Sequence, residues 1–138
     1  MDFLIDTNIL IDLLAKREGF YEDSALIFKV CDAGLANGHI SALSISDTIY
    51  ILRKHLSPEK TNEMIKKLHT LVDFEDIKSS DILAAAQRLP KDFEDAVQDE
   101  CASRIGVDFI VTRNLKHFEG SKVKAITPLS LLNYLSLN

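Results

Sequence analysis

Three consecutive apolar residues, Phe3-Leu4-Ile5, run directly into the polar triplet Asp6-Thr7-Asn8. The run is too short for a helix and does not alternate with polar residues, so it reads as a strand buried on both faces. Successive strand side chains point to opposite sides, and such a strand therefore needs helices above and below its sheet. Phe109-Ile110-Val111 repeats the pattern late in the chain. Shorter strand candidates lie at 39–43, 74–77 and 123–126.

Helical patterns fill the intervals. Thr7 or Asn8 is expected to cap a helix to about Lys16, with Gly19 closing that unit. Leu26, Ile27, Val30, Cys31 and Leu35 have helical spacing within 22–36, before Asn37-Gly38. Ser44 is expected to cap a helix over 45–55. Ser57-Pro58 opens a helix with Met64, Ile65, Leu68, Leu71 and Val72 on one face, a stripe that suits the core or a partner. Ser79 or Ser80 is expected to cap a helix around Ala84. Asp92 opens another, stopped by Gly106, and Pro128 begins the last. Strands alternating with helices predict a parallel sheet between helical layers, with ligands at the carboxyl ends of the strands. A chain of 138 residues is expected to form one domain over 1–138.

The net charge is −5, which disfavours a protein that holds long DNA by nonspecific phosphate neutralisation. Cys31 and Cys101, the two cysteines, make neither a disulfide framework nor a zinc spacing. Asp2 and Asp6 stand where a signal peptide would carry a basic flank, and no run reaches the ~18 apolar residues of a membrane span. A soluble protein of the reducing cytoplasm, away from membranes, is the expectation.

Three acids fall where a site is expected. Asp6 ends the first strand, Asp47 follows the second, and Asp95 lies in the first turn of the helix before the Phe109 strand. Thr112 and Asn114 follow that strand, and Asp99 stands one helical turn beyond Asp95. Each acid also has a purely structural reading. Asp6 could cap its own helix, Asp47 could complete a capping box with Ser44, and Asp95 could sit at the third position of a helix capped by Asp92. The stretch from Asp92 to Glu100 holds five acids and no Lys or Arg. Carboxylates crowded at one cleft raise one another's pKa, and a divalent cation removes that repulsion. Mg²⁺ and Mn²⁺ favour such oxygen donors, whereas the four histidines show no zinc-ligand spacing.

Residues 3–12, FLIDTNILID, together with Asp92-Phe93-Glu94-Asp95-Ala96-Val97-Gln98 and Val111-Thr112-Arg113-Asn114 with Phe118, resemble the motifs of PIN-domain proteins in order and spacing. The chain is most similar to their small bacterial and archaeal members, including toxins of the VapC type. The resemblance implies a three-layer α/β/α Rossmann-like sandwich with a short parallel sheet. It also implies an endoribonuclease site that uses Mg²⁺ or Mn²⁺. Carried over by position, Asp6, Asp47 and Asp95 are the metal-holding acids, Asn114 stands at a fourth position that is often Asp, and Asp99 is a candidate replacement. Thr7, Asn8 and Thr112 match supporting positions. Arg113, Lys116 and His117 are candidates for substrate phosphate contacts. The partners implied are an RNA substrate, a small antitoxin and a second copy of the chain. Asp47 is shorter than the family's usual Glu, and Asn114 is neutral. These departures leave two alternatives: a degenerate PIN-fold binding module without catalysis, and a phosphatase or phosphotransfer domain with Asp6 as an aspartyl nucleophile.

Overall fold

The computed structural model describes residues 1–137. Five strands form one parallel sheet: β1 (Asp2–Ile5), β2 (Asn37–Ser41), β3 (Asp73–Glu75), β4 (Phe109–Val111) and β5 (Lys124–Ile126). Their order across the sheet is β3-β2-β1-β4-β5. The helices are α1 (Thr7–Leu14), α2 (Tyr21–Asp32), α3 (Ala42–Ile51), α4 (Pro58–Leu71), α5 (Ser79–Gln87), α6 (Phe93–Ile105) and α7 (Pro128–Leu137).

The central strand explains the layering. Phe3, Leu4 and Ile5 have no exposed surface. Phe3 and Ile5 face a cluster with Ile9, Leu10, Ile27, Phe28 and Leu131, from α1, α2 and α7. Leu4 faces the other way, onto Ala102, Ile110, Phe118 and Val123. A strand with both faces covered cannot alternate with polar residues, which is why its sequence is continuous in apolar side chains. The result is the expected α/β/α sandwich. Leu68 of α4 is buried in the first cluster and Ile65 and Leu71 pack against it, so the stripe of that helix serves the core.

Local chemistry shifts several boundaries. Asp6 caps α1 in place of Thr7 or Asn8, and its carboxylate accepts from the Thr7 amide at 2.8 Å. Strand β2 ends at Ser41, whose hydroxyl accepts from the Ser44 amide, so α3 starts three residues earlier than expected and Ser44 is not its cap. Asp47 therefore lies in the second turn, and no capping box joins it to Ser44. Lys78, rather than a serine, precedes α5. Asp92 caps α6 as expected, and Gly106 ends it in the left-handed region at φ 77°. Gly38 is required by contact. A Cβ there would lie 2.6 Å from Cys31 Sγ and 2.9 Å from Val72 Cγ1.

Among the described residues, no helix is long and apolar enough to cross a membrane.

Candidate active site

Strands β1 and β4 are neighbours although most of the chain separates them. Beyond β1 the sheet grows through β2 and β3 on one side and through β4 and β5 on the other. The connections leave in opposite directions and open a crevice at the carboxyl end of the sheet. Ile5 pairs with Val111, so the next residues, Asp6 and Thr112, lie side by side at its mouth.

Asp6 is 5% exposed and fully engaged. Its Oδ1 accepts from the Thr7 amide at 2.8 Å. Its Oδ2 accepts from Thr112 Oγ1 at 2.8 Å and from Asn8 Nδ2 at 3.0 Å. Thr112 Oγ1 in turn accepts from the backbone N–H of Asn114 at 3.1 Å. Thr7 extends the frame: its hydroxyl donates to Glu94 Oε1 at 3.3 Å and lies 2.8 Å from Ser44 Oγ. Ser44 also accepts from Ser41 Oγ and from Gln98 Nε2, both buried. This polar cluster ties α1, α3 and α6 together beneath the crevice.

Three helices bring acids to the same place. A cleft of about 400 Å³ is lined by Asp6 and Asn8 from the α1 end and by Asp47 from α3. Asp92, Glu94 and Asp95 line it from the start of α6, and Asn114 and His117 from the segment after β4. Asp92 accepts from the Asp95 amide at 3.0 Å, so the structural role expected of it is present together with its place at the cleft. His117 Nδ1 lies 3.1 Å from Asp95 Oδ2, near enough for charge attraction but outside hydrogen-bond geometry.

The acids act on one another. Burial raises the Asp6 carboxyl, and the hydrogen bonds from Thr112 and Thr7 offset only part of that rise. Glu94 is pushed up to about 7 by burial, by its hydrogen-bonding contact with Asp47 and by the charges of Asp47 and Asp6. Asp95 is likewise pushed up to about 7, by burial and by the charges of Asp6 and Asp92, against the pull of His117.

Two expected site residues are engaged elsewhere. Asp99 is wholly buried; its Oδ2 accepts from Arg88 Nη1 at 2.9 Å and from the Lys122 amide at 2.8 Å, while Oδ1 accepts from the Val123 amide at 3.0 Å. Those bonds use both of its oxygens and correct the reading of Asp99 as a replacement acid. Arg113 pairs with the buried Asp12 at 2.7 Å and lies over the Phe20 ring at 4.5 Å. It braces α1 instead of facing a substrate phosphate. Lys116 does line a second cleft, of about 600 Å³, which continues past Asp92, Asp95 and His117 toward Lys91.

In the sequence Glu94 is one acid of a crowded stretch, Asp92 marks a helix start and His117 is a candidate for phosphate contact; the fold brings all three to the same cleft. The spacing of Asp92 and Asp95, three apart at a helix start, was the available signal for the first turn. Nothing in the spacing pointed to His117, which reaches Asp95 only through the fold.

The donor set fits a cation. Asp92, Asp95 and His117 each bring one ligand atom within 4.8 Å of the others. Asp95 Oδ2 is buried without a hydrogen bond, and its neighbours are mostly carboxylates.

No curated protein matches the sequence significantly. Among solved structures, a toxin–antitoxin complex from Klebsiella pneumoniae is similar at a TM-score of 0.67 and 22% identity, over 91% of this chain and 96% of that one. VapBC-1 from nontypeable Haemophilus influenzae has a TM-score of 0.68 at 16% identity, over 94% and 99%. Mycobacterium tuberculosis VapC20, described as a sarcin-ricin loop cleaving toxin, has a TM-score of 0.62 at 14% identity, over 78% and 86%. At such identities the likeness concerns the fold. The family model described as PIN domain matches residues 2–116, nearly the whole path from β1 to the segment after β4, and the chain belongs to that family.

Proposed function

We propose that the chain is a divalent-metal-dependent endoribonuclease that hydrolyses RNA phosphodiester bonds and is restrained by a small antitoxin. The observation that carries this reading is the convergence of Asp6, Asp47, Glu94 and Asp95 on one cleft, where burial and mutual repulsion hold Glu94 and Asp95 near neutrality. Asp6, Asp47 and Asp95 would hold the ion, with Asp92 and His117 at its edge. Oxygen donors of this kind suit Mg²⁺ or Mn²⁺. When bound, such an ion neutralises the carboxylates, polarises a phosphate oxygen and acidifies water for attack on phosphorus.

The chain's own residues do the rest. Thr112, Asn8 and the Thr7 amide hold Asp6 in one orientation. Burial and the neighbouring Asp47 carboxyl push Glu94 up to about 7, so at the wall of the cleft it holds its proton more firmly than an ordinary carboxyl. Asn114 would hydrogen-bond water or phosphate, and Lys116 would meet a phosphate in the neighbouring cleft. An aspartyl nucleophile at Asp6 fits less well, because a phosphotransfer site of that kind would want a second Asp two residues on, and that position is Asn8.

The antitoxin is supported by the similar fold of a toxin–antitoxin complex, and RNA as substrate by that of a sarcin-ricin loop cleaving toxin. A homodimer, a single working unit over 1–138 and a cytoplasmic setting belong to the same proposal. The setting is supported by Cys31 and Cys101, free thiols that burial pushes up to about 11.

Single-stranded RNA incubated with Mg²⁺ or Mn²⁺ should be cleaved by the wild type and spared in EDTA. Asp6→Asn should lose that cleavage while keeping its circular dichroism. Cleavage at the wild-type rate by this variant refutes the assignment. No heat of binding with millimolar Mn²⁺ would favour the non-catalytic module, and a trapped acyl-phosphate on Asp6 the phosphotransfer reading.

A further inference from the structure

The acidic cleft has two unlike arms. On one side it continues toward Lys91 and Lys116. On the other it is bounded by Ile11, Tyr50 and Ile51. Tyr50 lies three residues after Asp47 on α3, so its ring stands on the same helical face as that acid, one turn further on. Tyr50 is 65% exposed. Arg53 covers one side of it, with its guanidinium carbon 4.1 Å from the ring centroid and its Nη1 donating to the Tyr50 carbonyl at 2.7 Å. Tyr50 borders the acidic cleft with most of its surface open, and an aromatic ring placed there can take a flat π-system in stacking contact.

We infer that Tyr50 is a stacking platform for an unpaired nucleobase, placed one nucleotide or so from the bond cut at the acidic cleft. The inference rests on the nuclease reading and deepens it by assigning to one side chain the contact with a base of the RNA. A strand crossing the site would put its phosphates against Lys91 and Lys116, its reacting phosphate over the acids, and a base on Tyr50. The Arg53 charge beside the ring suits the polyanion that carries that base. Base-paired RNA keeps its bases in the helical stack and cannot offer one to the ring. Aromatic stacking of this kind tolerates any base, so Tyr50 selects for single-strandedness more than for sequence.

The test uses the full chain carrying Asp6→Asn, which suppresses turnover, and a short single-stranded RNA containing 2-aminopurine. Binding should quench the 2-aminopurine fluorescence. Adding Tyr50→Phe should preserve quenching and affinity, because the ring and not the hydroxyl stacks. Adding Tyr50→Ala should abolish the quenching and weaken binding about tenfold. A duplex of the same sequence should bind both forms equally weakly. In the turnover-competent background, Tyr50→Ala should raise KM and leave kcat nearly unchanged. A Tyr50→Leu variant, which keeps an apolar surface without a ring, guards against a helix disturbed by truncation and should behave like Tyr50→Ala. If the wild type cleaves RNA but the alanine and leucine variants bind and quench like their parent, this inference falls and the nuclease reading stands. If the wild type neither binds nor cleaves RNA, both fall together. If the Tyr50 variants lose instead the capture of a defined protein partner, the face belongs to that partner and the inference is overturned.

Discussion

Asp6 carries two roles in one side chain. It caps α1 and it presents a carboxylate at the crevice, and the geometry serves both because Thr112 and Asn8 fix the oxygen that the Thr7 amide leaves free. Asp6→Asn is nearly isosteric and removes a buried negative charge from a crowded site. It should lower metal-dependent RNA cleavage by more than about 100-fold, with a melting temperature equal to or above that of the wild type. Thr112→Val should act more mildly. It removes the donor to Asp6 and the acceptor for the Asn114 amide without changing volume, so cleavage should fall about 10–100-fold while KM for RNA stays close to its original value. A Thr112→Val enzyme with unchanged kcat would show that the hydroxyl is idle. The sequence made Asp6 and Thr112 legible because each directly follows a buried strand. Glu94 was harder to place, since its neighbours Asp92 and Asp95 explain a helix start on their own.

Helix α6 shows how one element divides its acids by face. Asp92, Glu94 and Asp95, at its start, open toward the cleft. Asp99 and Glu100, one turn later, are buried and meet Arg88 and Lys122. Asp99 also accepts from the backbone of 122 and 123, so it pins the segment leading into β5 to the middle of α6. Asp99→Ala should therefore cost about 3–4 kcal/mol in chemical denaturation, because Arg88 and two amides lose their acceptor. The affinity of the folded protein for Mn²⁺, measured by calorimetry, should be unchanged. Weakened metal binding with unchanged stability would restore Asp99 to the site. The start at Asp92 and the stop at Gly106 place the helix in the sequence. Periodicity could not separate its faces, because α6 mixes acids with small apolar residues and no single stripe dominates.

At the scale of the whole molecule, protons and cations compete for the same cleft. Glu94 and Asp95 are pushed up to about 7, and His39 is raised because its hydrogen bonds to Asp2 and Glu75 outweigh the opposing effect of burial. For each group the folded chain keeps a proton that the unfolded chain has already released. Their stabilisation is thus complete on the acid side and is lost as pH rises through the folded pKa values. Asp81 has the opposite sign. The Arg104 guanidinium holds its carboxyl below the usual range despite burial, so that contribution is present near neutrality and disappears only in strong acid. In EDTA the melting temperature should fall between pH 5.5 and pH 8. Millimolar Mg²⁺ should raise it at pH 8 and have little effect at pH 5.5, since a cation bound only by the native state stabilises it where the acids are ionised. A melting temperature that climbs over this interval and ignores Mg²⁺ would contradict the crowded-carboxylate account.

The sequence by itself determined the alternation of elements, the two strands buried on both faces and the acids that follow them. Those features are local: hydrophobic runs, caps and stops act over a few residues and are written in order along the chain. The tertiary structure decided which distant groups share a cleft. Pairing β1 with β4 sets Asp6 beside Thr112, brings His117 to Asp95, and turns Asp99 and Arg113 toward partners of their own. Such choices depend on strand order and helix rotation, which arise from packing the whole core at once and leave no mark in the spacing of any one segment.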